Sequence, residues 1–130
     1  MKLLDDMFQV VSVTRAEEEL SFRLRTLPEC PIYQAHFPAY PITPGVCLVQ
    51  VVGELLSMEL HQQLALSVVK NVKFLSVLVP GATTEVVYHI HYDAASMKAS
   101  VTIQDDTTLY AKMVLLFCIN DANVKRIEAF

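Results

Sequence analysis

The sequence predicts an α+β fold class: a curved antiparallel sheet of about five to six strands wrapped around one long central helix, in a single domain spanning residues 1–130. Three observations carry that expectation. Five of the six prolines fall between positions 28 and 44, a nearly continuous apolar run follows from Val46 to Leu60, and the C-terminal half alternates β-branched stretches with turn chemistry.

Taken in order, residues 8–13 and 19–25 read as two strands, the second with clean period-two alternation, separated by the charged stretch 15–18. Pro28, Pro31, Pro38, Pro41 and Pro44 each remove a backbone donor and fix φ, so 28–44 is expected to be a long irregular loop, neither helix nor central strand. Such loops in compact domains usually carry function. Thr43 is placed as the N-cap and Pro44 in the first turn of a helix running from about Pro44 to His61, buried almost all round. Stretches 68–79, 85–92, 97–104 and 108–119 then form an antiparallel meander, broken by Pro80-Gly81, by Asp93-Ala94-Ala95 and by 104–107. Tyr88, Ile90 and Tyr92 alternate with Val87, His89 and His91, giving one buried and one wetter face.

Composition narrows the function classes. Apolar residues make up 53% and charged residues 18%, more apolar surface than a small monomer hides easily, so oligomerisation is expected. A net charge of −4 offers no broad basic face for nucleic acid. Cys30, Cys47 and Cys118 lack metal-ligand spacing and fit a reducing compartment as small core residues. With no signal-like stretch at 1–6 and no run of membrane-spanning length, the expectation is a cytoplasmic protein with no membrane partner.

The loop-to-helix junction carries the chemistry. His36 lies in a proline-rigidified turn, and nine positions later Gly45 opens the helix, where backbone N–H groups have no intrahelical acceptor. Glycine there lets a ligand oxygen approach the backbone, and the helix dipole favours the charge that gathers on it. An imidazole beside such a site is a base beside an oxyanion hole.

The string His36-Phe37-Pro38-x-x-Pro41-x-x-Pro44-Gly45-Val46 resembles the active-site motif of the 3-hydroxyacyl-(acyl carrier protein) dehydratases. Lys73-Phe74 followed by Val77-x-x-Pro80-Gly81, the N-terminal strand pair and a last strand ending near Phe117-Cys118 extend the likeness over nearly the whole chain. The resemblance implies a hotdog fold and a homodimer, or a higher oligomer of dimers. It also implies a lyase of fatty-acid or related lipid or polyene synthesis, whose thioester arrives on acyl carrier protein or CoA through a phosphopantetheine arm, with no cofactor and no metal. By the same resemblance His36 is the base, Gly45 binds the thioester carbonyl, and Phe37, Pro44 and Val46 complete the substrate-binding set. An acid from the partner subunit, fourteen positions after the histidine, would serve the departing hydroxyl.

That position holds Gln50. An amide keeps an acceptor and a donor but does not titrate, and general acid catalysis is worth about 10²–10⁴-fold, so a slow dehydratase is expected. Ala35 and Ala39 also replace glycines usual around the motif. Glu54, one turn beyond Gln50, is the carboxylate that could stand in, or is otherwise paired or solvated. Two alternatives follow: a non-catalytic carrier-binding or heterodimer subunit, and a thioesterase that uses Glu54. His89 and His91 share a strand face without a third ligand in reach of a metal. A local cluster including Lys70, Lys73, Lys125 or Arg126 is the candidate for docking an acidic carrier.

Overall fold

The computed structural model describes residues 2–35 and 41–120. The elements run β1 (Phe8–Ala16), β2 (Glu19–Thr26), α1 (Pro31–Ala35), α2 (Gly45–Leu60), β3 (Leu64–Phe74), β4 (Glu85–Asp93), β5 (Lys98–Gln104) and β6 (Leu109–Ile119). All strand pairings are antiparallel, in one curved six-stranded sheet of order β1-β2-β4-β5-β6-β3, with α2 as its one long helix.

Alternation makes the sheet two-sided. Phe22, Leu24, Tyr88, Ile90, Val101, Ile103, Met113 and Leu115 are buried toward α2, whereas Val87, His89 and His91 face outward as the alternation predicts. Cys47, Leu48, Val51, Val52, Leu55 and Leu56 are the buried face of the helix. Tyr88 fixes the helix to the sheet by donating its hydroxyl to the Leu48 carbonyl at 3.0 Å, and Phe8 packs edge-on against the Tyr88 ring.

Five expectations are corrected. The 28–44 stretch is not wholly irregular: α1 starts at Pro31, because the first helical position needs no N–H and the fixed φ suits it. Thr43 is not the cap of α2. Pro44 occupies the N-cap position with no side-chain cap, and the buried Thr43 hydroxyl is used elsewhere. The helix is not buried all round, since Val46 is 74% exposed and Met58 and Leu60 also face out. The expected strand at 68–79 begins at Leu64 and stops at Phe74, and β3 pairs outside β6 at the sheet edge instead of preceding β4 in a meander. Lastly, Cys30 and Cys47 are buried but Cys118 is exposed on the outer side of β6.

The edge position of β3 leaves a specific surface open. Residues directly opposite in an antiparallel ladder share a face, so Leu66, Val69 and Phe74, paired with the inward Phe117, Leu115 and Ala111, point to the helix side of the sheet. All three are nevertheless about half exposed, because α2 covers the edge strand only in part. Two β-bulges, at Leu66/Val68 and Val69/Asn71, bend this strand.

Candidate functional site

The ends of the proline-rich segment are held together by a buried clasp. The hydroxyls of Tyr33, in α1, and Thr43, just before α2, hydrogen-bond at 2.9 Å, and Thr43 N–H donates to the Leu78 carbonyl at 2.9 Å. Burial pushes the Tyr33 phenol up to about 12 against the opposing pull of the Thr43 bond, so it is a neutral structural hydroxyl at any ordinary pH. His36 and Phe37, the expected base and one expected substrate contact, lie outside the described residues, as do Lys125 and Arg126.

Pro44 and Gly45 sit where expected, at the start of α2. The first hydrogen bonds to the Pro44 carbonyl come from the N–H groups of Cys47 and Leu48, so Gly45 and Val46 supply N–H groups with no acceptor inside the helix. Glycine leaves room here for a neighbouring ring: a Cβ on Gly45 would lie 2.6 Å from Cζ of Phe74, whose half-exposed ring covers the helix start and would have to move aside. Cys47, one turn in, has its thiol pKa raised by burial and by Cys30, as expected of a packing residue and contrary to an activated nucleophile.

From this helix start a groove of about 330 Å³ runs between α2 and the edge of the sheet. Val46, Val49, Gln50, Gly53 and Glu54 line it from the helix at the three- and four-residue spacing of one face, and Leu64, Leu66 and Phe117 from the sheet. Val46 and Gln50 thus share one groove with Glu54, as their helical spacing implies. Within it, Gln50 Nε2 donates to Glu54 Oε2 at 2.9 Å. The same carboxylate accepts the backbone N–H groups of Leu3 and Leu4 at 2.8–2.9 Å. Three N–H donors therefore occupy Glu54, which ties the N-terminal segment to the helix and is the paired residue of the two readings above.

Sequence reasoning missed Tyr33 and Phe74 as parts of this site. Phe74 stands in the Lys73-Phe74 pair that marks the resemblance, a signal that could have flagged it. Nothing in the spacing of Tyr33 and Thr43 announces a clasp across an irregular segment. His89 and His91 are occupied on the outer face: Ser21 Oγ lies 2.8 Å from His89 Nδ1, and His91 meets Glu19 at 2.8 Å and Glu18 at 3.4 Å.

Comparison with known proteins agrees with this geometry. Residues 12–113 match the ApeI-like family, described as ApeI dehydratase. A 3-hydroxyacyl-[acyl-carrier-protein] dehydratase, FabZ of Rickettsia bellii, is 29% identical over 104 residues, covering 70% of this chain and 69% of that protein. Among solved structures, the dehydratase heterocomplex ApeI:P from Xenorhabdus doucetiae superposes with a TM-score of 0.75 at 21% identity, over 85% of this chain and 97% of that one. The dehydratase domain from the CurK module of the curacin polyketide synthase superposes at 0.55 with 15% identity, over 95% of this chain and 47% of that one. The structural likenesses establish the hotdog fold, the family match spans most of the sequence, and the chain belongs to the ApeI-like dehydratase family.

Proposed function

We propose that the chain dehydrates 3-hydroxyacyl thioesters to trans-2-enoyl thioesters in fatty-acid or related lipid or polyene synthesis in the cytoplasm, taking its substrate from acyl carrier protein or CoA. One observation carries the reading: nine residues after the histidine of a dehydratase motif, Gly45 and Val46 present helix-start N–H groups with no acceptor among the described residues, and Val46 heads an apolar groove. His36 removes the proton from C2, charge gathers on the thioester oxygen against the Gly45 N–H, and the C2=C3 bond forms as hydroxide leaves C3. Gln50 orients the leaving hydroxyl through its amide. The proton that hydroxyl needs comes back from the imidazolium, a slower arrangement than one with a dedicated acid. The phosphopantetheine arm belongs to the substrate, and no other cofactor enters the scheme.

The groove is completed by a second subunit. Leu66, Val69, Phe74 and Val46 leave an apolar strip along the β3 edge, and a two-fold pairing of β3 strands would cover it. A homodimer is the simplest such assembly. The amide at position 50 supports a second reading, in which this chain is the less active subunit of a heterodimer and lends its helix start to a partner. Occupation of Glu54 by Leu3, Leu4 and Gln50 weighs against the thioesterase reading, which needs that carboxylate for water. Assay of the chain alone on 3-hydroxyacyl and saturated acyl thioesters, with sedimentation of the same sample, tests the reading: enoyl product from a dimer supports it, and an inactive monomer refutes it.

A further inference from the structure

The face of the sheet turned away from α2 holds a separate concavity of about 420 Å³. Two cross-strand rows run along it, all of whose residues but Ser21 line it. In one, Ser21, His89, Thr102, Lys112 and Lys73 are successive direct partners across β2, β4, β5, β6 and β3. In the neighbouring row Glu19, His91, Ser100, Val114 and Asn71 stand in the same relation.

The charges in this concavity are sorted by end. Glu19 and Glu18 are occupied by His91. At the opposite end Lys112 lies directly across from Lys73, and among the described residues neither ammonium has a carboxylate within ion-pair reach. Like charges directly opposite in a ladder destabilise the sheet. Two of them side by side on a chain of net charge −4 are explained by a ligand that neutralises both.

We infer that this outer groove binds a small phosphorylated anion, anchored by Lys73 and Lys112 and hydrogen-bonded by Thr102 and by Nε2 of His89, the ring nitrogen not engaged by Ser21. The volume is that of a small-molecule site, and lysine binds phosphate as a compact point charge. Glu18, Glu19, Glu85 and Asp93 occupy the β2–β4 end of the same face, opposite the basic end, and would repel an extended acidic protein surface laid along it. Lys73 immediately precedes Phe74, whose ring covers Gly45, so the two grooves adjoin across β3. The anion is either free in solution or the phosphate of the arm that delivers the thioester. That second source rests on the proposed function, whereas the site itself does not.

Titration of the full chain with inorganic pyrophosphate, followed by calorimetry, reads the site directly. Wild type should bind with one-to-one stoichiometry, Lys73→Gln and Lys112→Gln should each weaken binding tenfold or more, and the double variant should lose it. Without ligand and at low salt, the double variant should melt about 1–3 °C higher than wild type, because the like-charge pair is gone, which separates lost binding from lost folding. Absence of saturable binding to wild type at millimolar pyrophosphate, or unchanged binding in the double variant, overturns the inference. A CoA thioester and a pantetheine thioester that lacks phosphate then distinguish the sources. If the double variant raises KM for the first alone, the anion is the arm's phosphate; if pyrophosphate binding is lost and both KM values stay put, the site serves a free anion. A catalytically silent chain would still report through pyrophosphate, so failure of the proposed reaction and failure of this site remain distinct.

Discussion

Gln50 and Glu54 form a hydrogen-bonded pair on one face of α2, with Nε2 and Oε2 2.9 Å apart, in the groove that begins at Val46. The pair changes what a carboxylate at position 50 would do. In Gln50→Glu the donor facing Glu54 becomes an acceptor, and two carboxyl groups meet at i,i+4 spacing, so the new group has a raised pKa and stays protonated further up the pH scale. The expected gain in dehydration is on the order of 10²-fold, largest at the acid end of the working range. The cost in stability is about 0.5–1 kcal/mol, absent at acid pH where the new group is neutral in both states, and felt fully once pH passes its raised folded pKa. Rate and denaturant midpoint measured together against pH check both halves.

Gly45→Ala tests the helix start. The added methyl meets the Phe74 ring, but that ring is about half exposed and can swing aside, so stability should change by less than about 1 kcal/mol. On the proposed function, the methyl intrudes where the thioester oxygen would meet the helix start. Turnover should fall by about 10–10²-fold with the fold intact, as steady-state kinetics and a thermal melt would show.

Glu54→Gln separates anchoring from chemistry. The amide can still accept through one oxygen but cannot serve Leu3, Leu4 and Gln50 together, so the N-terminal segment loosens and stability drops by about 1–2 kcal/mol. Dehydration should survive. Hydrogen exchange at Leu3 and Leu4 should rise in the same variant.

The Tyr33–Thr43 clasp predicts alkaline behaviour. Burial holds the Tyr33 phenol protonated up to about 12 in the folded chain, and Tyr88, fully buried beneath α2, is raised well above 10 by the same cause. An unfolded tyrosine releases its proton near 10, so between there and about 12 the unfolded chain binds fewer protons than the folded one. The stability these groups give is complete below about 10 and is lost as pH rises, by about 1.4 kcal/mol per pH unit for each. Tyr33→Phe should flatten that alkaline slope by one such share. It should also cost about 1–3 kcal/mol at neutral pH by leaving the buried Thr43 hydroxyl unpaired. Denaturant titrations from neutral to alkaline pH measure both effects.

How far the sequence reached depended on which interactions are local. Alternation placed β2, β4, β5 and β6 to within a residue or two, because each buries one face against the same helix. It misjudged β3: apolar residues continue to Val79, but pairing stops at Phe74, and an edge strand with an exposed apolar face looks like a buried one. The all-round apolar helix misled for the same reason, since Val46 and Met58 face an uncovered side. In the site, the spacing of Gln50 and Glu54 announced their shared face. The tie from Glu54 to Leu3 and Leu4 could not be read, because backbone N–H groups fifty positions away carry no residue signature.

The central claim is that this chain itself performs the elimination. Purified protein should be mixed with 3-hydroxyacyl thioesters of several chain lengths, and enoyl product followed for wild type and His36→Ala side by side, with the fold of the variant checked by its melt. The account predicts slow but catalytic formation of the trans-2-enoyl thioester by wild type and none by a folded His36→Ala. Equal turnover in His36→Ala, or no enoyl product from wild type at any chain length, would contradict it.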